Sequence, residues 1–253
     1  FSTWDGLFNT ASVQLPPLLL TSLFSPAIAG VYSLANRVLN LPMTMIGSAV
    51  ANVFFSKSAD EHRNNNLSNL VTNVYEKLAY IAMPPLLIVL LIGPNLFSII
   101  FGENWIQAGV FAQWMVPWLY FQFIFSPIST IFPVLEKQNQ LLLMNICMFT
   151  LRFASLIIAG YLENFILGIA LFSSISAFCY FVFLIITFYY VKIHFFVLIK
   201  KLFLISLYSL LICFPIIISN YVKLNIFFNA FSLIMTGILF IIYYIKIFNI
   251  DKN

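Results

Sequence analysis

Apolar runs of about twenty residues follow one another through this chain with only short polar joints between them, and no other feature constrains the fold as tightly. A hydrocarbon core about 30 Å thick is crossed by on the order of 20 apolar residues in an α-helix. Composition points the same way: 62% of the 253 residues are hydrophobic and 8% charged, with a mean hydropathy of +1.00, whereas a soluble domain is about a quarter charged. The expected fold class is therefore an all-α integral membrane protein with about eight transmembrane helices.

Apolar runs and turn residues together place helices a to d at residues 4–24, 27–56, 78–101 and 106–132, and helices e to h at 140–161, 165–191, 202–219 and 226–245. The joints carry turn chemistry: Ser25-Pro26, the polar stretch SKSADEHRNNNLSN, then GENW, EKQNQ and LEN.

Sorting cations by joint orients the bundle. Lys57, Arg63, Lys77, Lys137, Lys192, Lys200, Lys201, Lys246 and Lys252, nine of the twelve Lys and Arg, fall on one side, and only Lys223 on the other. The positive-inside rule makes the nine-charge side cytoplasmic. Both ends of the chain then face the cytoplasm, which requires an even number of spans, and eight satisfies it.

A net charge of +4 spread singly between apolar runs reports this orientation rather than nucleic-acid binding. Cys147, Cys179 and Cys213 lie inside apolar stretches without ligand spacing and read as small hydrophobes, so no metal or disulfide is expected. Phe1 is not an initiator Met and the first residues lack a signal peptide's basic region, so the true N-terminus is expected elsewhere. No P-loop, HExxH or GxSxG motif and no extramembrane stretch long enough for a catalytic domain occurs, so coupling to ATP within this chain and a bound cofactor are not expected.

Helix b is the most informative span. Gly30, Ser33, Arg37, Asn40, Thr44, Gly47 and Ala51 recur at spacings of three and four and so share one face. Such a stripe either lets another helix approach closely or walls a water-filled cavity. Arg37 lies roughly 15 Å from the outer end of its helix, at about 1.5 Å per residue, too deep for easy snorkelling. It needs water, a partner or a ligand. Arg152 on helix e sits roughly 13 Å from its outer end, near Asn145 and Ser155. Two guanidiniums at one depth suit a phosphate or an acidic sugar, though a structural role remains open for each. Gln14 on helix a shares a face with Thr10, Pro17 and Thr21, and Gln122 lies on helix d; both are cavity candidates set against ordinary packing. All eight acids fall at expected helix ends or joints, so no ion relay is evident. Prolines 16, 17, 42, 84, 85, 117 and 127 are expected to kink their spans. Helices g and h, nearly all Ile, Leu, Phe and Tyr, read as peripheral.

The run QLPPLLLTSLFSPAIAGVYSLANRVLNLPMTMIGSAVANVFF, followed by FGENWIQAG and PWLYFQFIFSPIST, resembles bacterial polysaccharide exporters of the Wzx-type flippase family. That family belongs to a superfamily shared with MATE drug efflux proteins and MurJ-like lipid II flippases. The resemblance is good over residues 12–140 and is one of hydropathy beyond. It implies two six-helix lobes around a central cavity, with residues 1–191 as the second lobe, 192–253 as two extra helices, and the first lobe missing from this chain. It further implies an O-antigen or capsule flippase of the bacterial cytoplasmic (inner) membrane. The substrate would be an undecaprenyl-pyrophosphate-linked oligosaccharide moved by alternating access, with Arg37 lining the cavity. Membrane lipids, a polysaccharide polymerase and a chain-length regulator would be partners. The rival readings are a MATE-like drug or cation antiporter, a membrane-embedded polysaccharide polymerase or ligase, and a partner subunit without transport activity.

Overall fold

Long apolar stretches between short polar joints should form continuous helices, and the computed structural model, which describes residues 2–221 and 235–245, consists of such helices. They are α1 (Ser2–Leu23), α2 (Pro26–Arg63), α3 (Leu67–Phe101), α4 (Ile106–Ile128), the single turn α5 (Ile131–Val134), α6 (Gln138–Tyr161), α7 (Phe165–Tyr190) and α8 (Phe195–Tyr221). Met235–Ile245 forms α9. Among the described residues six helical stretches are long and apolar enough to cross a membrane: α2, α3, residues 103–134, α6, α7 and most of α8. Helix α1, at 22 residues, has the length but more polar groups. The first part of expected helix h, with Lys223, Lys246, Asp251 and Lys252, lies outside the described residues.

Two boundaries differ from expectation for one reason. Helix α2 runs through SKSADEHR to Arg63, and α3 starts at Leu67 rather than residue 78. Polarity there marks the exit from the membrane, and with no Gly or Pro in the way the hydrogen-bond ladder simply continues. Helix α8 likewise begins at Phe195, seven residues early. At the other long span, Pro127 and Pro133 split expected helix d into α4 and α5.

The ends are well specified. Ser25 accepts from the Ile28 amide at 3.3 Å with Pro26 in the first helical position. Asn164 accepts from the Leu167 amide at 3.0 Å. Four helices stop alike, with Asn65, Glu136, Glu163 and Lys192 in the left-handed region. In each, the next residue's amide reaches back five residues, as from Asn66 to the Glu61 carbonyl at 2.9 Å and from Ile193 to that of Phe188 at 2.8 Å.

Helix α4 forms the centre, packed by α2, α3 and α7, while α1 and α6 close the opposite side. Gly93 and Gly109 set the α3–α4 spacing. A Cβ on Gly109 would stand 2.4 Å from the Gly93 carbonyl oxygen, so only two bare backbones fit. Helix α8 lies on α3 outside this group, held by the Lys201–Glu76 ion pair and by the Tyr75 hydroxyl donating to the Leu198 carbonyl at 3.3 Å.

Helix α3 carries three prolines and leaves helical geometry at Ile92, with φ −130° and ψ 20°. Each proline strips one carbonyl of its amide partner four residues back. Two of these carbonyls are rescued by neighbours. Gln113 of α4 donates to Leu90, the acceptor lost to Pro94, at 2.7 Å. Tyr244 of α9 donates to Ile81, the acceptor lost to Pro85, at 2.8 Å.

Candidate functional site

The stripe on α2 twists across two environments. Gly47 is buried, and a Cβ there would lie 3.9 Å from the Pro127 ring, so this lower part serves close packing on α4. Higher up, Ser33, Arg37 and Thr44 are exposed and Asn40 is half-buried. One face of α2 buries Tyr32, Ala35, Leu39 and Phe54, and the polar stripe lies on the outward surface alongside exposed Leu41, Met45 and Ile46. Helix α1 does the same: Ser12, Pro16 and Leu20 are buried, while Thr10, Gln14 and Thr21 are exposed.

Between α2 and α4 opens a groove of about 240 Å³ whose polar lining is Asn40, Thr44, Ser48, Gln122 and Ser126. It brings three of the expected residues together: Asn40, Thr44 and Gln122. Ser33, Arg37 and Gln14 stand outside it on exposed helix surface. The hydroxyls are tied to their own helix, Ser33 to the Ala29 carbonyl at 2.7 Å and Thr44 to that of Leu41 at 3.0 Å. Asn40 donates to the Asn36 side chain at 2.5 Å. The Gln122 Oε1 has no hydrogen-bond partner among the described residues. Asn36, Ser48 and Ser126 were not among the sequence candidates; Asn36, four residues before Asn40, carried a readable signal in that spacing.

Arg152 sits apart from this groove. It is fully buried, at 0% exposure, among α1, α4, α6 and α7. Its Nε donates to Ser176 at 2.7 Å and one terminal nitrogen to Ser12 at 2.7 Å. The guanidinium carbon lies 5.2 Å from the Trp118 ring centre, 4.9 Å from Phe172 and 5.6 Å from Tyr180. Aromatic faces and hydroxyls rather than a carboxylate hold this charge.

Chemically the arrangement can bind and guide a polar solute. The groove lining carries no carboxylate, histidine or cysteine, and among the described residues no three His, Cys, Asp or Glu gather as metal ligands would.

Residues 2–109 match the model of a family described as polysaccharide biosynthesis protein. Among curated proteins, the lipopolysaccharide biosynthesis protein WzxC of Escherichia coli (strain K12) is 26% identical over 111 residues, covering 42% of this chain and 22% of that protein. Among solved structures, the lipid II flippase MurJ in an inward closed conformation superposes with a TM-score of 0.71 at 17% identity, over 95% of this chain and 52% of that one. The N-terminal part of the chain is thus similar to polysaccharide biosynthesis proteins, and the fold is MurJ-like. The chain spans about half the length of the MurJ structure, and its match spans under a quarter of WzxC.

Proposed function

We propose that this chain forms one lobe of a flippase for polyprenyl-pyrophosphate-linked oligosaccharide units, acting in the bacterial inner membrane during assembly of a surface polysaccharide. The observation that carries the reading is the exposed polar stripe of α2, where Ser33, Arg37 and Thr44 lie on the surface of a helix long and apolar enough to cross a membrane. Lipid tails are a costly neighbour for a guanidinium, so that side belongs against a wet cavity or a second lobe. The flippase kinship supports a lipid-linked saccharide as the solute, and a guanidinium at membrane depth offers forked donors to its pyrophosphate or to acidic sugars. The groove beside Asn40, Thr44 and Gln122 gives room for sugar hydroxyls. In this reading residues 1–191 make up the lobe, 192–253 add peripheral helices, and the cation-rich joints are cytoplasmic. The polymerase and chain-length regulator of the same polysaccharide are its functional partners.

The test is complementation of a strain lacking its own flippase, using the full-length protein that contains this chain. Arg37→Ala is expected to abolish surface polysaccharide while leaving thermal stability in detergent unchanged, and Arg37→Lys to restore part of it. Wild-type export by Arg37→Ala would overturn the proposal.

A further inference from the structure

The α2–α3, α5–α6 and α7–α8 joints converge on a second cavity, of about 300 Å³, whose walls include His62, Asn65, Ser68, Leu135, Tyr190 and Lys192. Its size is at the lower end of small-ligand sites, about 300–1,000 Å³. Each of its polar side chains can donate a hydrogen bond, His62, Asn65 and Ser68 as well as the Lys192 ammonium. No carboxylate lines it. Of the acids nearest in sequence, Glu61 accepts from Asn66 at 2.7 Å, Asp60 faces Arg63 at 3.9 Å, and Glu136, next to Leu135, is exposed and outside the lining. A second ammonium, that of Lys137, stands 5.8 Å from the Tyr190 ring centre at the cavity wall.

The surroundings locate this cavity at the membrane surface. The α7–α8 joint reads YYVKIHFF and is followed by Lys200 and Lys201, with Tyr189 and Phe196 exposed. Aromatic rings mixed with cations are the composition of a membrane–water interface. Donors without a facing acid suit an anion with several acceptor oxygens, and a lysine is a good point charge for phosphate. We propose that this cavity binds the phosphate of an anionic phospholipid headgroup. The proposal rests on the membrane-spanning fold and is independent of the transported substrate, since none of these residues touches the α2–α4 groove.

The full chain in detergent is incubated with phosphatidylglycerol or phosphatidylcholine, and retained lipid is measured by native mass spectrometry; a parallel titration uses inorganic phosphate by calorimetry. Phosphatidylglycerol should be retained in preference to phosphatidylcholine. Lys192→Asn should weaken it about fivefold, the effect of one surface cation, and Asn keeps the left-handed backbone that Lys192 adopts at φ 62°. Adding His62→Leu should weaken it further, while Lys57→Gln, an exposed cation of the same hairpin outside the cavity, should change nothing. Equal retention of the two lipids, or equal losses from Lys57→Gln and Lys192→Asn, would overturn the site. Binding of inorganic phosphate that is sensitive to Lys192→Asn, without retention of phosphatidylglycerol, would overturn the lipid source. Because Arg37 is untouched, complementation by the Lys192→Asn protein separates failure here from failure of the transport reading.

Discussion

Arg37 and Arg152 are both intramembrane arginines, yet their surroundings assign them different physics. Arg37 is exposed on α2, so removing it changes what the surface can bind and little of the packing. Arg152 is buried, with two hydroxyl partners and three aromatic faces, so removing it opens a void and takes a partner from Ser12, while Ser176 keeps its bond to the Phe172 carbonyl. Arg152→Ala is expected to cost roughly 3 kcal/mol, the range of large-to-small core truncations. Arg152→Lys should recover only part, since an ammonium lacks the planar fork that reaches both serines. Thermal unfolding in detergent checks this; an Arg152→Ala protein as stable as wild type would show that the cage contributes nothing.

At the scale of elements, α3 shows how a helix with three prolines survives in an apolar medium. Each carbonyl stripped of its amide would otherwise face hydrocarbon unpaired. Gln113 and Tyr244 arrive from separate helices to take two of them, and the Gly93–Gly109 contact brings α4 close enough for Gln113 to reach. Gln113→Leu is therefore expected to lower stability by about 1 kcal/mol, visible as a reduced Tm in detergent. Gln113→Glu protonated at low pH should retain more than Leu, because a carboxylic acid still donates. That each proline would strip a carbonyl was legible in the sequence, since Pro always lacks the amide, but the break in α3 falls at Ile92, beside Pro94, which was not among the expected kinks. Which residues repair the stripped carbonyls was not legible, because Gln113 lies 23 residues from Leu90 and Tyr244 lies 163 from Ile81.

For the whole molecule, the open question is which way the bundle faces. With the three native cysteines replaced, a membrane-impermeant maleimide applied to spheroplasts should label Glu103→Cys and spare Asn139→Cys, both exposed sites at opposite ends of the bundle; the reverse pattern would refute the positive-inside orientation. The sequence by itself determined that this chain is a helical membrane bundle and where most of its apolar spans lie. Hydropathy and turn chemistry are local properties, readable from one residue and its near neighbours. It also marked one face of α2 as polar, because helical periodicity is local too. Where α2 stops and α3 starts was misread, because a polar stretch outside the membrane continues a helix as readily as an apolar one inside it. Only the tertiary structure decided that Gly47 packs while Ser33 and Thr44 open outward, that Gln122 joins Asn40 beside a groove, that Arg152 belongs to the core, and that three joints meet around Lys192. Those are contacts between segments distant in sequence, and packing alone brings them together.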